Sequence, residues 1–98
     1  MEIIKTQEGS RLNVALKGRL DTTTAPQLEE VVRTSLSGID EFHLDFSGLE
    51  YLSSAGLRVL LSAQKIMQKQ GAMILSNVCD TIKEVFEITG FIDILTIV

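Results

Sequence analysis

The sequence predicts an α/β domain: a mixed, largely parallel β-sheet with an N-terminal hairpin and helices packed on it. Three observations carry this. Short segments with apolar residues at every second position alternate with longer segments whose apolar residues recur at helical spacing. Scattered glycines punctuate the boundaries between them. After two initial strand segments, strands and helices alternate to the end, which requires crossover connections and hence parallel neighbours. The 98 residues suit one domain, 1–98, and a chain of this size buries enough surface to fold without metal or disulfide.

Residues 2–7 (EIIKTQ) and 11–17 (RLNVALK) are predicted strands, joined through Glu8, Gly9 and Ser10. Leu12, Val14 and Leu16 alternate with polar or small residues, as in a half-buried strand. A helix is predicted over roughly 25–36, with Leu28, Val31, Val32 and Leu36 on one face and Glu29, Glu30 and Arg33 on the other. Thr24 stands three residues before Gln27, the spacing of a capping box, and Pro26 suits a first turn. Gly38 is the expected stop. Residues 42–46 (FHLDF) alternate again, and SGLEYLS (47–53) is expected to turn the chain. Residues 54–70 form a second predicted helix with Leu57, Leu60, Leu61, Ala63 and Met67 inward, ended by Gly71. AMILS (72–76) is a buried strand. CDTIKEVFEITG puts Ile82, Val85, Phe86 and Thr89 on one helical face, with Gly90 as its stop and Phe91 placed for the apolar contact that follows such a stop. Residues 93–98 are a last strand.

Composition excludes several function classes. Thirteen acidic against nine basic residues give a net charge of −4, whereas a nucleic-acid binder carries a basic excess. The same balance leaves no basic segment for an anionic membrane, and no apolar run approaches the ~20 residues of a spanning helix. The N-terminus lacks the basic and apolar regions of a signal peptide. With one cysteine, Cys79, there is no intramolecular disulfide. A cytoplasmic protein that neither binds nucleic acid nor inserts directly into a membrane is expected. Catalytic sets are equally thin. The lone His43 lies within a strand pattern, Cys79 has no histidine near it in sequence, and neither a phosphate-binding glycine loop nor metal-ligand spacing occurs. No catalytic residue, metal site or cofactor is expected, and a binding or regulatory module is the better reading.

Two polar turns stand out. LDTTTA (20–25) holds one carboxylate and three hydroxyls between a strand and a helix. Thr24 as a helix cap with a solvated remainder accounts for it locally. YLSSAGL (51–57) places Ser53 and Ser54 where the second long helix begins. Either serine suits an N-cap. Alternatively one hydroxyl is phosphorylated, because free N–H groups and the positive dipole end there favour a phosphate. One serine can cap while the other is modified.

These segments resemble the STAS domain family across essentially the whole chain. GRLDTTTA (18–25) resembles its Gly-x-Leu-Asp-x-x-Thr-Ala turn. LDFSGLEYLSSAGLRVLL (44–61) resembles its phosphorylation segment, where a strand ends in an Asp-Ser-Ser-Gly-Leu-like turn before a helix. KEVFEITGFIDIL (83–95) resembles its C-terminal helix and exit. The type is similar to free-standing bacterial anti-sigma factor antagonists. The resemblance implies the STAS fold and a non-enzymatic partner switch. In that switch the unphosphorylated chain binds an anti-sigma factor serine kinase and frees the sigma factor. Phosphorylation turns binding off, and a PP2C-type phosphatase resets it. Carried over by position, the phosphorylated residue is Ser54, with Ser53 as second choice. The partner-binding residues are Asp21, Thr22, Thr23, Thr24, Ser53, Ala55, Gly56 and Arg58. Two departures from the family pattern stand beside the site: Ser53 replaces an aspartate and Ala55 a serine. A monomer or weak dimer is expected. The alternative is a constitutive STAS subunit of a membrane transport complex, in which Ser53 and Ser54 are plain caps. A nucleotide-handling enzyme using Asp21 would need the phosphate loop that is missing.

Overall fold

The computed structural model describes residues 1–98 as strand β1 (Glu2–Glu8), strand β2 (Arg11–Leu20), helix α1 (Ala25–Ser35), strand β3 (Glu41–Leu52), helix α2 (Ser54–Gln68), strand β4 (Ala72–Ser76), helix α3 (Asp80–Thr89), a 3-10 turn (Phe91–Asp93) and strand β5 (Thr96–Ile97). The five strands form one sheet in the order β1-β2-β3-β4-β5. β1 and β2 are the antiparallel hairpin, and every later neighbour is parallel. The mixed sheet and the order of elements agree with the alternation read from the sequence.

The two-residue period of the strands decides which face is covered. Leu12, Val14 and Leu16 on β2, Phe42, Leu44 and Phe46 on β3, and Met73 and Leu75 on β4 are buried. They join Leu28 and Val32 of α1, Leu57, Leu60, Ala63 and Met67 of α2, and Ile82 and Phe86 of α3 in one core. The alternate residues Asn13, Ala15, His43, Asp45, Ile74 and Ser76 stay partly exposed on the opposite face.

Four local expectations are corrected. SGLEYLS is not a turn: β3 runs on through Leu52, and β2 through Leu20. Register shifts between Ala15 and Lys17 and between Gly18 and Arg19 let the two strands stay paired past residue 46. They also break the alternation, so Leu49 and Leu52 are buried three residues apart. Gly48 permits the close pairing, since a Cβ there would sit 2.8 Å from Lys17 Cγ and 3.1 Å from the Leu16 carbonyl oxygen. Second, the capping box at Thr24 does not form, and α1 starts without a side-chain cap bond. Third, Thr89 is exposed, while its hydroxyl donates back to the Val85 carbonyl. Fourth, the last strand is only Thr96–Ile97, because the chain first coils through the 3-10 turn. The stop at Gly90 holds: its φ of 81° is the left-handed cap that glycine adopts freely.

Candidate functional site

β2 and β3 are parallel, so their C-terminal ends lie side by side. Arg19 pairs with Tyr51 and Leu20 with Leu52. The next residues, Asp21 and Ser53, therefore open two neighbouring turns, and the Ser53 N–H donates to the Leu20 carbonyl at 2.9 Å. In this way the sheet brings together two segments more than thirty residues apart in sequence.

The first turn is held by its own hydroxyls. Asp21 Oδ1 accepts from the Thr23 hydroxyl at 2.8 Å, the Thr23 N–H at 3.0 Å and the Thr24 N–H at 3.2 Å. The Thr24 hydroxyl faces back into the turn. It accepts from the Asp21 N–H at 2.8 Å and donates to the Arg19 carbonyl at 2.7 Å. That is why it is not free to cap α1. The Thr23 hydroxyl, helped by the Thr24 and Thr23 amides, holds the Asp21 carboxyl below its ordinary value against a smaller desolvation effect. Arg19 Nε lies 3.7 Å from Asp21 Oδ2, and its guanidinium sits 4.1 Å from the centroid of the Tyr51 ring. Asp21 thus stays ionised and internally engaged. Thr22 and Thr23 are both exposed, but the Thr23 hydroxyl is bonded to Asp21 while the Thr22 hydroxyl makes no bond within the turn.

The second turn separates its two serines. Ser53 has the extended backbone of an N-cap (φ −101°, ψ 176°), yet its hydroxyl makes no cap bond. Ser53 Oγ is buried without any hydrogen-bond partner. Ser54 is exposed as the first residue of α2. The first helical bond runs from the Leu57 N–H to the Ser53 carbonyl. The N–H groups of Ser54, Ala55 and Gly56 consequently have no intrahelical acceptor. No acidic residue occupies this first turn. An anion carried on Ser54 meets free donors and the positive end of a 15-residue helix. Gly56 points inward. A Cβ there would lie 2.6 Å from Leu52 Cδ1 and 2.7 Å from Leu20 Cγ, so glycine is what lets α2 begin directly against the ends of both strands.

Between α1 and α2 runs an open groove of about 330 Å³. Thr22, Pro26 and Glu29 line one wall, and Ala55, Arg58 and Ser62 the other. The residues expected from sequence therefore divide. Thr22, Ala55 and Arg58 line the groove, and Ser54 adjoins it. Asp21, Thr23 and Thr24 stiffen its rim, while Ser53 Oγ and Gly56 face the interior. Pro26, Glu29 and Ser62 were not anticipated. The spacing Ala55, Arg58, Ser62 marks one helical stripe and is a signal that could have found Ser62. Arg19 and Tyr51 carried no such signal, because their contact depends on the bulged register. His43 sits on the open sheet face and pairs with Glu41 at 2.8 Å, and Cys79 is exposed at the start of α3. Neither lines the groove. No helix is long and apolar enough to cross a membrane.

Comparison with known proteins places this geometry. The STAS domain family matches residues 2–98. BtrV of Bordetella bronchiseptica, named as a candidate anti-sigma factor antagonist, is 35% identical over 99% of this chain and 85% of its own length. The anti-sigma-B factor antagonist of Listeria monocytogenes is 31% identical over 96% of this chain and 84% of its own. Among solved structures, the Bacillus cell fate determinant SpoIIAA in its phosphorylated form has the same fold, with a TM-score of 0.78 and 19% identity over 99% of this chain and 91% of that one. Family match, sheet order and helix placement agree, and the chain belongs to the STAS domain family.

Proposed function

We propose that this chain is an anti-sigma factor antagonist whose binding is gated at Ser54. Unphosphorylated, it docks an anti-sigma factor serine kinase through the groove between α1 and α2 and so releases the sigma factor. Phosphate on Ser54 ends the docking, and a PP2C-type phosphatase restores it. The chain contributes the acceptor hydroxyl, while ATP, metal and catalysis belong to the kinase.

The observation that carries this reading is the exposure of Ser54 at an uncapped helix start beside the groove. A kinase reaches this hydroxyl without unfolding anything, whereas the Ser53 hydroxyl is enclosed. The added charge, about −1.5 to −2, lands where a partner would have to desolvate it. The names of the relatives and the phosphorylated form known for SpoIIAA support the same reading.

The test is capture of the cognate kinase by purified chain. Ser54→Ala is expected to keep binding and Ser54→Asp to lose at least about tenfold, the loss of roughly 1.4 kcal/mol at an interface. Equal binding by both variants, together with no phosphate on Ser54 in protein isolated from its own cell, overturns the reading.

A further inference from the structure

We infer that Arg58 receives the phosphate on Ser54, drawing its guanidinium up one helical turn and out of the α1–α2 groove. This rests on Ser54 being the phosphorylated residue. Ser54 and Arg58 stand at i and i+4 on α2, both exposed. Side chains at that spacing are neighbours, and the acidic member placed N-terminal to the basic one is the favourable order. Arg58 is also uncommitted. Arg11 is held by Glu41, Arg19 by Asp21 and Arg33 by Glu30, whereas Arg58 has no carboxylate partner. A phosphate offers three acceptor oxygens to a guanidinium that binds two at once.

The surrounding charges leave Arg58 as the receiver. Arg19 and Asp21, in the turn beside the site, pair with each other. Glu29 lines the α1 wall of the groove and, being acidic, cannot hold a phosphate. Lys65, the next base on α2, lies eleven residues on, about 16 Å down the helix axis.

The switch then has two parts. Phosphorylation adds negative charge at the mouth of the groove and also withdraws its cation. Arg58 and Glu29 are the only charged side chains lining the groove, so its walls pass from balanced to acidic. A partner that reaches Arg58 with a carboxylate loses that contact at the moment it meets the new charge.

The experiment uses the full chain with phosphoserine inserted at position 54 during synthesis. Phosphorus NMR follows the second ionisation of the phosphate, which titrates near pH 6 when unperturbed. The midpoint is expected to lie about 0.3–0.5 pH unit lower in the parent than in Arg58→Gln, with Arg58→Lys between them and the gap closing in 1 M salt. Helix-end effects are common to all three chains and cancel. Equal midpoints in parent and Arg58→Gln overturn the inference. Should Arg58→Gln not fold, the Arg58 Nε–H resonance is compared between chains carrying serine and phosphoserine at 54. Movement supports the inference, and an unmoved resonance overturns it. None of these readouts involves a partner, so their failure leaves the Ser54 reading standing. That reading fails separately, through binding by the Ser54 variants and phosphate mapping in cells.

Discussion

Replacing Gly56 by alanine tests the packing that positions the site. The new methyl would lie 2.6 Å from Leu52 Cδ1, 2.7 Å from Leu20 Cγ and 3.0 Å from Leu20 Cδ2. Leu20 is fully buried and Leu52 is 6% exposed, so neither leucine moves aside into solvent. Overpacking of this kind costs about 1–3 kcal/mol. Against it stands the helix preference of alanine over glycine, about 1 kcal/mol. Two contacts under 3.0 Å place this site in the upper half of that range, about 2–3 kcal/mol, so the expected net loss is about 1–2 kcal/mol, or roughly 5–15 °C in melting temperature for a domain of this size. Urea and thermal melts followed by circular dichroism read it directly. A second variant isolates the cause. Leu52→Val removes the nearest methyl, so Gly56→Ala should cost less in that background. A melting temperature unchanged or raised by Gly56→Ala would refute the packing account and return this glycine to the surface role inferred from sequence.

Other substitutions separate reasons that look alike in sequence. Ser53→Ala is expected to be neutral or slightly stabilising in a urea melt, because the buried hydroxyl has no partner to lose. A loss near 1 kcal/mol, the usual cost of deleting an N-cap, would show that the hydroxyl does cap α2. Gly71→Ala should be among the most damaging single-methyl changes, since its Cβ would fall 1.8 Å from the Asp40 carbonyl oxygen, and backbone cannot rotate away. Failure to fold, or a loss above about 3 kcal/mol, is expected, and parent-like stability refutes it. Asp45 is held below its ordinary value, first by the Asn77 amide and then by the Ser47 N–H. A depressed carboxyl stabilises the fold above its unfolded pKa, and that stability is lost as pH falls through the folded value, here below about pH 4. Asn77→Gly keeps the positive φ of 57° at this position and should flatten the acid limb of the stability–pH curve. An unaltered acid limb would exclude Asn77 as the cause.

The residues that revealed the fold early were those with an undisturbed period. Leu12, Val14 and Leu16, then Phe42, Leu44 and Phe46, alternate cleanly, and all six are buried. α2 and β4 were legible for the same reason, and Gly90 marked its helix end because a left-handed cap selects glycine. The second half of β3 was not legible, since two register shifts place Leu49 and Leu52 out of phase with the residues before them. The resemblance of 44–61 to a phosphorylation segment points to Ser54, whereas local pattern could not choose between two adjacent serines. Both satisfy the same cap statistics.

Residue order was enough to establish the alternation of strands and helices, because burial on a pleated or helical face leaves a period in the chain. It was enough, too, to put hydroxyls at two strand–helix junctions. Which atoms are free was settled by contacts distant in sequence. Leu20 and Leu52 close over Gly56, Ser53 is turned under the helix start, and Ser54 is left outside. The groove likewise needs α1 and α2 side by side, with Thr22, Glu29 and Arg58 drawn from three separate stretches. Periodicity records how each element meets the core, whereas a site records how elements meet one another, and that is a property of packing.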